Sequence, residues 1–108
     1  MASPLTDDEI RLCRAILHIA AKQPKECLVE RAWYQERNGK KCYNPYAVAH
    51  HSVKGVGNVK CGQHYKFEEL PDDELRAYAY LERLPINDYM TRDELLHAIH
   101  ESKGILKQ

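Results

Sequence analysis

A chain of 108 residues has room for one compact unit, or for two very small ones sharing a core, and not for a large enzyme-style cleft. Its 16 basic and 16 acidic side chains cancel formally, and 44% of its residues are hydrophobic, the composition of a globular protein that folds and stays in solution. The longest apolar-leaning stretch, Ile16 to Ala21, contains His18 and is far too short to span a bilayer or to serve as the apolar part of a signal peptide. No membrane association is expected. The opening from Met1 to Asp8 ends in acids, which argues against a secretory or mitochondrial leader and points to cytoplasm or nucleus.

Thr6 to Glu9 form a capping box, in which the hydroxyl accepts from the Glu9 amide and the carboxylate reaches back to the Thr6 amide. A helix is expected to start there and to stop before Pro24. Its apolar positions Ile10, Cys13, Ile16, Leu17, Ala20 and Ala21 make one buried stripe, with Cys13 in the core and His18 off the stripe in solvent. After it, Leu28-Val29 and Ala32 to Tyr34 carry strand-forming residues. Asn38-Gly39 favours a type I′ turn, so a hairpin is expected from about Trp33 to Tyr43. His50 and His51 are expected in a solvated loop, and Gly55, Gly57 and Gly62 mark further loops.

The tail reads as two helices. Pro71 to Glu74 make a good first turn, proline standing where no amide donor is needed and acids at the positive end of the dipole. Leu75, Tyr78, Ala79 and Leu81 continue it to about Leu84. Thr91 to Glu94 are a second capping box, opening a helix through Leu95, Leu96 and Ile99 that closes near Gly104. The stretch from Glu74-Leu75-Arg76-Ala77-Tyr78 to Leu95-Leu96-His97-Ala98-Ile99 resembles the helix, extended loop, helix unit of the SAP and LEM families. SAP units commonly bind DNA and LEM units a protein. Here Asn87, Asp88 and Tyr89 replace the glycine and basic residues of the DNA-binding loop, so the resemblance implies a protein partner for the tail, or packing within the chain, rather than direct DNA contact. The run from Cys42 to Val48 is similar to a segment of small uncharacterised phage and large-virus proteins, a similarity that carries no known chemistry. The whole is expected to be α+β and mainly helical, organised as a segment 1–66 and a segment 67–108 that stand apart or share one compact body.

Zero net charge conceals segregation. Between Lys25 and Lys66 the bases Lys25, Arg31, Arg37, Lys40, Lys41, Lys54, Lys60 and Lys66 face only Glu26, Glu30 and Glu36, whereas ten acids follow from Glu68 to Glu101. Either one face meets an anionic partner, or the two segments neutralise each other.

Four cysteines without a leader are expected as core filler or metal ligands, a secreted chain being the one that would pair all four. Cys27, Cys42, Cys61 and His64 form the candidate metal set, because zinc takes four such ligands tetrahedrally and a Cys-x-x-His pair supplies two from one turn. Free thiols are the competing reading. No enzyme is expected. A metal-dependent nuclease using His50, His51, Asn58 and His64 lacks an acid beside the metal, and nothing marks the oxyanion hole of a cysteine hydrolase.

Two functions follow. A nucleic-acid-binding accessory protein would contact phosphates through Arg31, Arg37, Lys40, Lys41, Lys54 and Lys60 and stack bases on Tyr34, Tyr43 and Tyr46, with Trp33 in the core and zinc holding the centre. RNA or single-stranded DNA suits that combination better than duplex. A protein-binding adaptor or inhibitor would instead present Asp72, Asp73, Glu74, Tyr78, Tyr80 and Tyr89 to a basic partner.

Overall fold

Thr6 opens the first helix as its capping box predicts: its hydroxyl accepts from the Glu9 amide at 3.2 Å, and the Glu9 carboxylate accepts from the Thr6 amide at 2.8 Å. The computed structural model describes residues 5–103. Helix α1 covers Asp7–Ala21 and buries Leu12, Cys13, Ile16, Leu17 and Ala20. Ile10, expected on that stripe, is 45% exposed; it lies at the edge of the stripe in the first turn, and Leu12 takes the core position instead.

Two short helices replace what the sequence predicts as strand and loop. Lys25–Val29 form α2, with Cys27 and Leu28 buried, so Leu28-Val29 is helical. One turn of helix has almost no stability of its own, and α2 is held by packing against a later helix. Pro45–Ser52 form α3, which takes in His50 and His51; the Asn44 side chain caps it, accepting from the amides of Tyr46 at 3.0 Å and Ala47 at 3.3 Å. Pro45 at the first position loses nothing by lacking an amide proton.

Between them lies the expected hairpin, tighter than predicted. β1 (Glu36–Arg37) pairs antiparallel with β2 (Lys40–Lys41), Glu36 opposite Lys41 and Arg37 opposite Lys40. Asn38 at φ 53° and Gly39 at φ 75° form the left-handed pair that a type I′ turn requires. Bonds from the Tyr34 amide to the Cys42 carbonyl and from the Cys42 amide to the Gln35 carbonyl, both 2.7 Å, extend the ladder inward. Ala32 to Tyr34 are a turn rather than a strand, with Arg31 and Tyr34 at positive φ.

From Val53 the chain crosses the molecule as a strap with a 3₁₀ turn at Cys61–Gln63 and another at Phe67–Glu69. Helix α4 covers Asp72–Leu81 and α5 covers Arg92–Ser102, the latter opened by the Thr91 capping box. α4 stops short of the expected Leu84, and Gly104, the expected end of α5, lies outside the described residues. Helices α3 and α4 both pack on α1, α2 packs on α4, and α4 packs on α5. The resulting core runs from Leu12, Leu17 and Leu28 to Leu75, Leu95 and Ile99, so buried surface joins the two sides of the boundary expected at residue 66. The chain is α+β and mainly helical.

Two disulfides close the frame. Cys13 of α1 is bonded to Cys61 of the strap, Cα atoms 5.6 Å apart, and Cys27 of α2 to Cys42 beyond the hairpin, 5.3 Å apart. The second pair is fully buried with Ala32, and half-buried Trp33 packs against both this small cluster and the main core.

Candidate functional site

The proposed zinc ligands are not brought together. Cys27 faces Cys42, and Cys61 faces Cys13 instead of either. Zinc needs thiolates, and sulfurs spent on each other cannot supply them, so this donor set does not fit the ion. Among the described residues no group of three or more His, Cys, Asp or Glu side chains converges as a metal site would. His64 lines a shallow hollow beside Ile10 and Lys66, whereas His50 and Asn58 share a different cavity.

The hairpin does assemble a site. Lys40, Lys41 and Tyr43 meet His18 of α1 and Lys22, its C-terminal cap, around a groove of about 470 Å³ lined also by Ile19, Pro24 and Val48. Among the described residues no carboxylate lines it, and the acid that forms an ion pair with its lining is Glu74, beside His18. Lys22, Lys40 and Lys41 form no salt bridge among the described residues, so their charges are free. The groove wall is fixed by Gln23, whose side-chain amide donates to the Tyr43 carbonyl at 2.9 Å while its oxygen accepts from the Tyr43 amide at 2.7 Å. One side chain thereby imitates a strand partner and ties the hairpin to the end of α1. The outer side of the hairpin is tied to α2 by Arg37 to Glu30 at 3.0 Å and Asn38 to Glu26 at 2.9 Å.

The remaining basic residues expected to contact phosphates disperse. Arg37 is committed to Glu30, and Arg31 donates to the Leu81 carbonyl at 3.1 Å. Lys54 is exposed after α3, and Lys60 lines the second cavity. Tyr43 at the groove is 47% exposed, Tyr34 is 62% exposed on its turn, and Tyr46, at 36%, faces the second cavity. Lys22 and His18 were not among the expected site residues, since nothing in their own helix separates them from any solvated face.

On the acidic side three expected contact residues are internal. Tyr78, Tyr80 and Glu74 are buried; α4 packs on α1, α2 and α5 and has little free surface. The Glu74 carboxylate lies 3.8 Å from His18 Nδ1 through one oxygen, and its other oxygen is buried without a hydrogen-bond partner. Asp72 and Asp73 are exposed, Asp72 paired with Arg92 at 2.5 Å. The connection from α4 to α5 is strapped down: Arg76 donates to the carbonyls of Asn87 at 3.0 Å and Met90 at 2.9 Å, Lys25 meets Asp88 at 2.5 Å, and the Tyr80 hydroxyl donates to the same carboxylate. Lys25 first, then Tyr80, holds the Asp88 carboxyl below its ordinary range. Tyr89 stands out from this loop, 94% exposed.

The second cavity, about 610 Å³, lies between α1, α3, the strap and the end of α4. Its lining combines apolar Leu12, Ile16, Leu17 and Leu81 with the polar residues Tyr46, His50, Asn58, Lys60, Tyr78 and Glu82. Burial pushes the Tyr78 hydroxyl up to about 12 and the Tyr65 hydroxyl further still; Tyr65 donates to the Cys13 carbonyl at 2.6 Å.

No family model, curated protein or solved structure matches the chain. The likeness of residues 74–99 to SAP and LEM units therefore rests on sequence pattern alone. Among the described residues no helix is long and apolar enough to cross a membrane.

Proposed function

We propose that the chain binds single-stranded nucleic acid along the groove between the end of α1 and the hairpin. The observation that carries this reading is the lining itself: three unpaired lysines, Lys22, Lys40 and Lys41, with His18, half-exposed Tyr43 and apolar side chains, and no carboxylate among them. Cations track the phosphates while an aromatic ring and apolar side chains take the faces of unstacked bases. A duplex, whose bases are already stacked, would use the lysines and leave the apolar lining idle.

Replacing Lys40 and Lys41 together by Glu tests it. Both are exposed beside the Asn38-Gly39 turn, where change is tolerated. The slope of log affinity against log salt should shrink by about 1.4, two contacts at roughly 0.7 each on a single strand. Wild-type protein that shifts neither RNA, single-stranded DNA nor duplex at low salt overturns the reading.

A second reading, a protein-binding adaptor, draws on Tyr89, an aromatic residue wholly exposed on a loop fixed by Arg76, Lys25 and Tyr80. An exposed aromatic side chain on a loop tied down in this way suits a protein partner's pocket. Under it the Lys40 and Lys41 changes are silent.

A further inference from the structure

The cavity beside α3 has the makings of a ligand site that neither the phosphate contacts nor the fold accounts for. Its volume, about 610 Å³, falls in the range of small-molecule pockets, and its lining combines apolar side chains with a few polar groups, as such pockets do. The charges on its lining decide what fits. Lys60 brings one positive group and Glu82 one negative, and neither forms a salt bridge among the described residues. A ligand of either net charge is attracted by one of these groups and repelled by the other, so the lining favours neither sign. A neutral ligand is opposed by neither.

That ligand must also answer donors and acceptors together. Glu82 only accepts, Lys60 only donates, and Asn58 and the hydroxyls of Tyr46 and Tyr78 do both. The Tyr78 hydroxyl, like that of any tyrosine, is protonated at neutral pH and can donate as well as accept. A flat, neutral, heteroaromatic ring carrying both kinds of group on its edge meets these requirements, lying against the leucines of α1 and α4 with Tyr46 at the rim, 36% exposed.

We propose that this cavity binds a nucleobase, read at its edge by Asn58, Glu82 and Tyr78 and covered by Tyr46. The proposal rests on the nucleic-acid reading of the groove and deepens it. The two sites are joined through consecutive residues: Leu17 lines the cavity and His18 the groove, Asn44 the cavity and Tyr43 the groove.

The experiment titrates the full chain with adenosine, guanosine, cytidine and uridine, following tyrosine fluorescence, with gel shifts of single-stranded oligonucleotides run in parallel. At least one nucleoside should bind saturably. Tyr46→Ala should weaken it about tenfold, the scale of one lost base stack, and Asn58→Ala, on the exposed strap, should weaken it without touching the core. The Lys40→Glu, Lys41→Glu double variant should leave nucleoside binding as it was. Absence of saturable binding by all four nucleosides, or binding indifferent to both Tyr46→Ala and Asn58→Ala, overturns the proposal. Oligonucleotides that shift while all nucleosides fail leave the groove reading standing without it; nucleosides that bind where no oligonucleotide shifts remove the groove reading and leave the cavity.

Discussion

Asp88 shows how much one exposed carboxylate can organise. It receives Lys25 from α2 and Tyr80 from α4, and so fastens the α4 to α5 connection to two helices at once. Its carboxyl is held below the ordinary 3.8 by those two donors, and the Lys25 ammonium is held above the ordinary 10.5 by the same bond. For a depressed carboxyl the added stability is present above pH 3.8 and is lost as pH falls through the lower folded value. For the raised ammonium it is present below pH 10.5 and is lost as pH rises through the higher folded value. Asp88→Asn should therefore lower Tm across neutral pH, with the wild-type and variant curves converging as pH falls below that of the folded carboxyl. Coincident curves at neutral pH, or an offset that stays constant down to the acid limit, measured by thermal melts in a pH series, would mean that the ionised carboxylate contributes nothing. The groove's side chains divide by the same locality: Lys40 and Lys41, with Tyr43 just beyond, are legible beside an Asn-Gly turn, whereas Lys22 and His18 reach the groove from an earlier helix end, with no local pattern to mark them.

Elements that carry their own start signals are readable from sequence. The Thr6 and Thr91 capping boxes and the Pro71 turn with its acids place α1, α5 and α4, and Asn38-Gly39 places the hairpin. The short helices α2 and α3 are not, because packing against α4 and the Cys27 disulfide hold α2, and packing against α1 holds α3, more than their own periodicity does. α3 had one overlooked signal, Asn44 followed by Pro45, a cap and a first-turn proline. Asn44→Ala should cost about 1 kcal/mol by leaving the amides of Tyr46 and Ala47 without their acceptor. Chemical denaturation that finds the variant as stable as wild type would show that water replaces the cap at no cost.

For the molecule as a whole the disulfides set the terms. Spacing alone cannot say which cysteines pair: Cys61 and His64 stand close in sequence and suggest a metal pair, whereas Cys13, the partner of Cys61, sits on the apolar stripe of α1 and reads as core. The pairs close separations of 48 and 15 residues, worth about 4 and 3 kcal/mol in the chain-entropy account. Against a typical total of roughly 5–15 kcal/mol, reduction should remove much of the margin. Intact mass without reductant should fall short of the reduced mass by the four hydrogens that two bonds remove, and thermal melts with and without dithiothreitol should separate widely. Equal melting temperatures would remove the disulfides from the account of stability. Bonds of this kind last in oxidising surroundings, which sets a condition on where the folded chain can work.

The paired hydrogen bonds between Gln23 and the backbone of Tyr43 have a kinetic meaning. On the proposed single-strand reading, a groove whose hairpin wall is already tied to the end of α1 at two points has less motional freedom to surrender on binding. Encounters should then be governed by charge attraction alone, with added salt slowing arrival far more than it hastens departure.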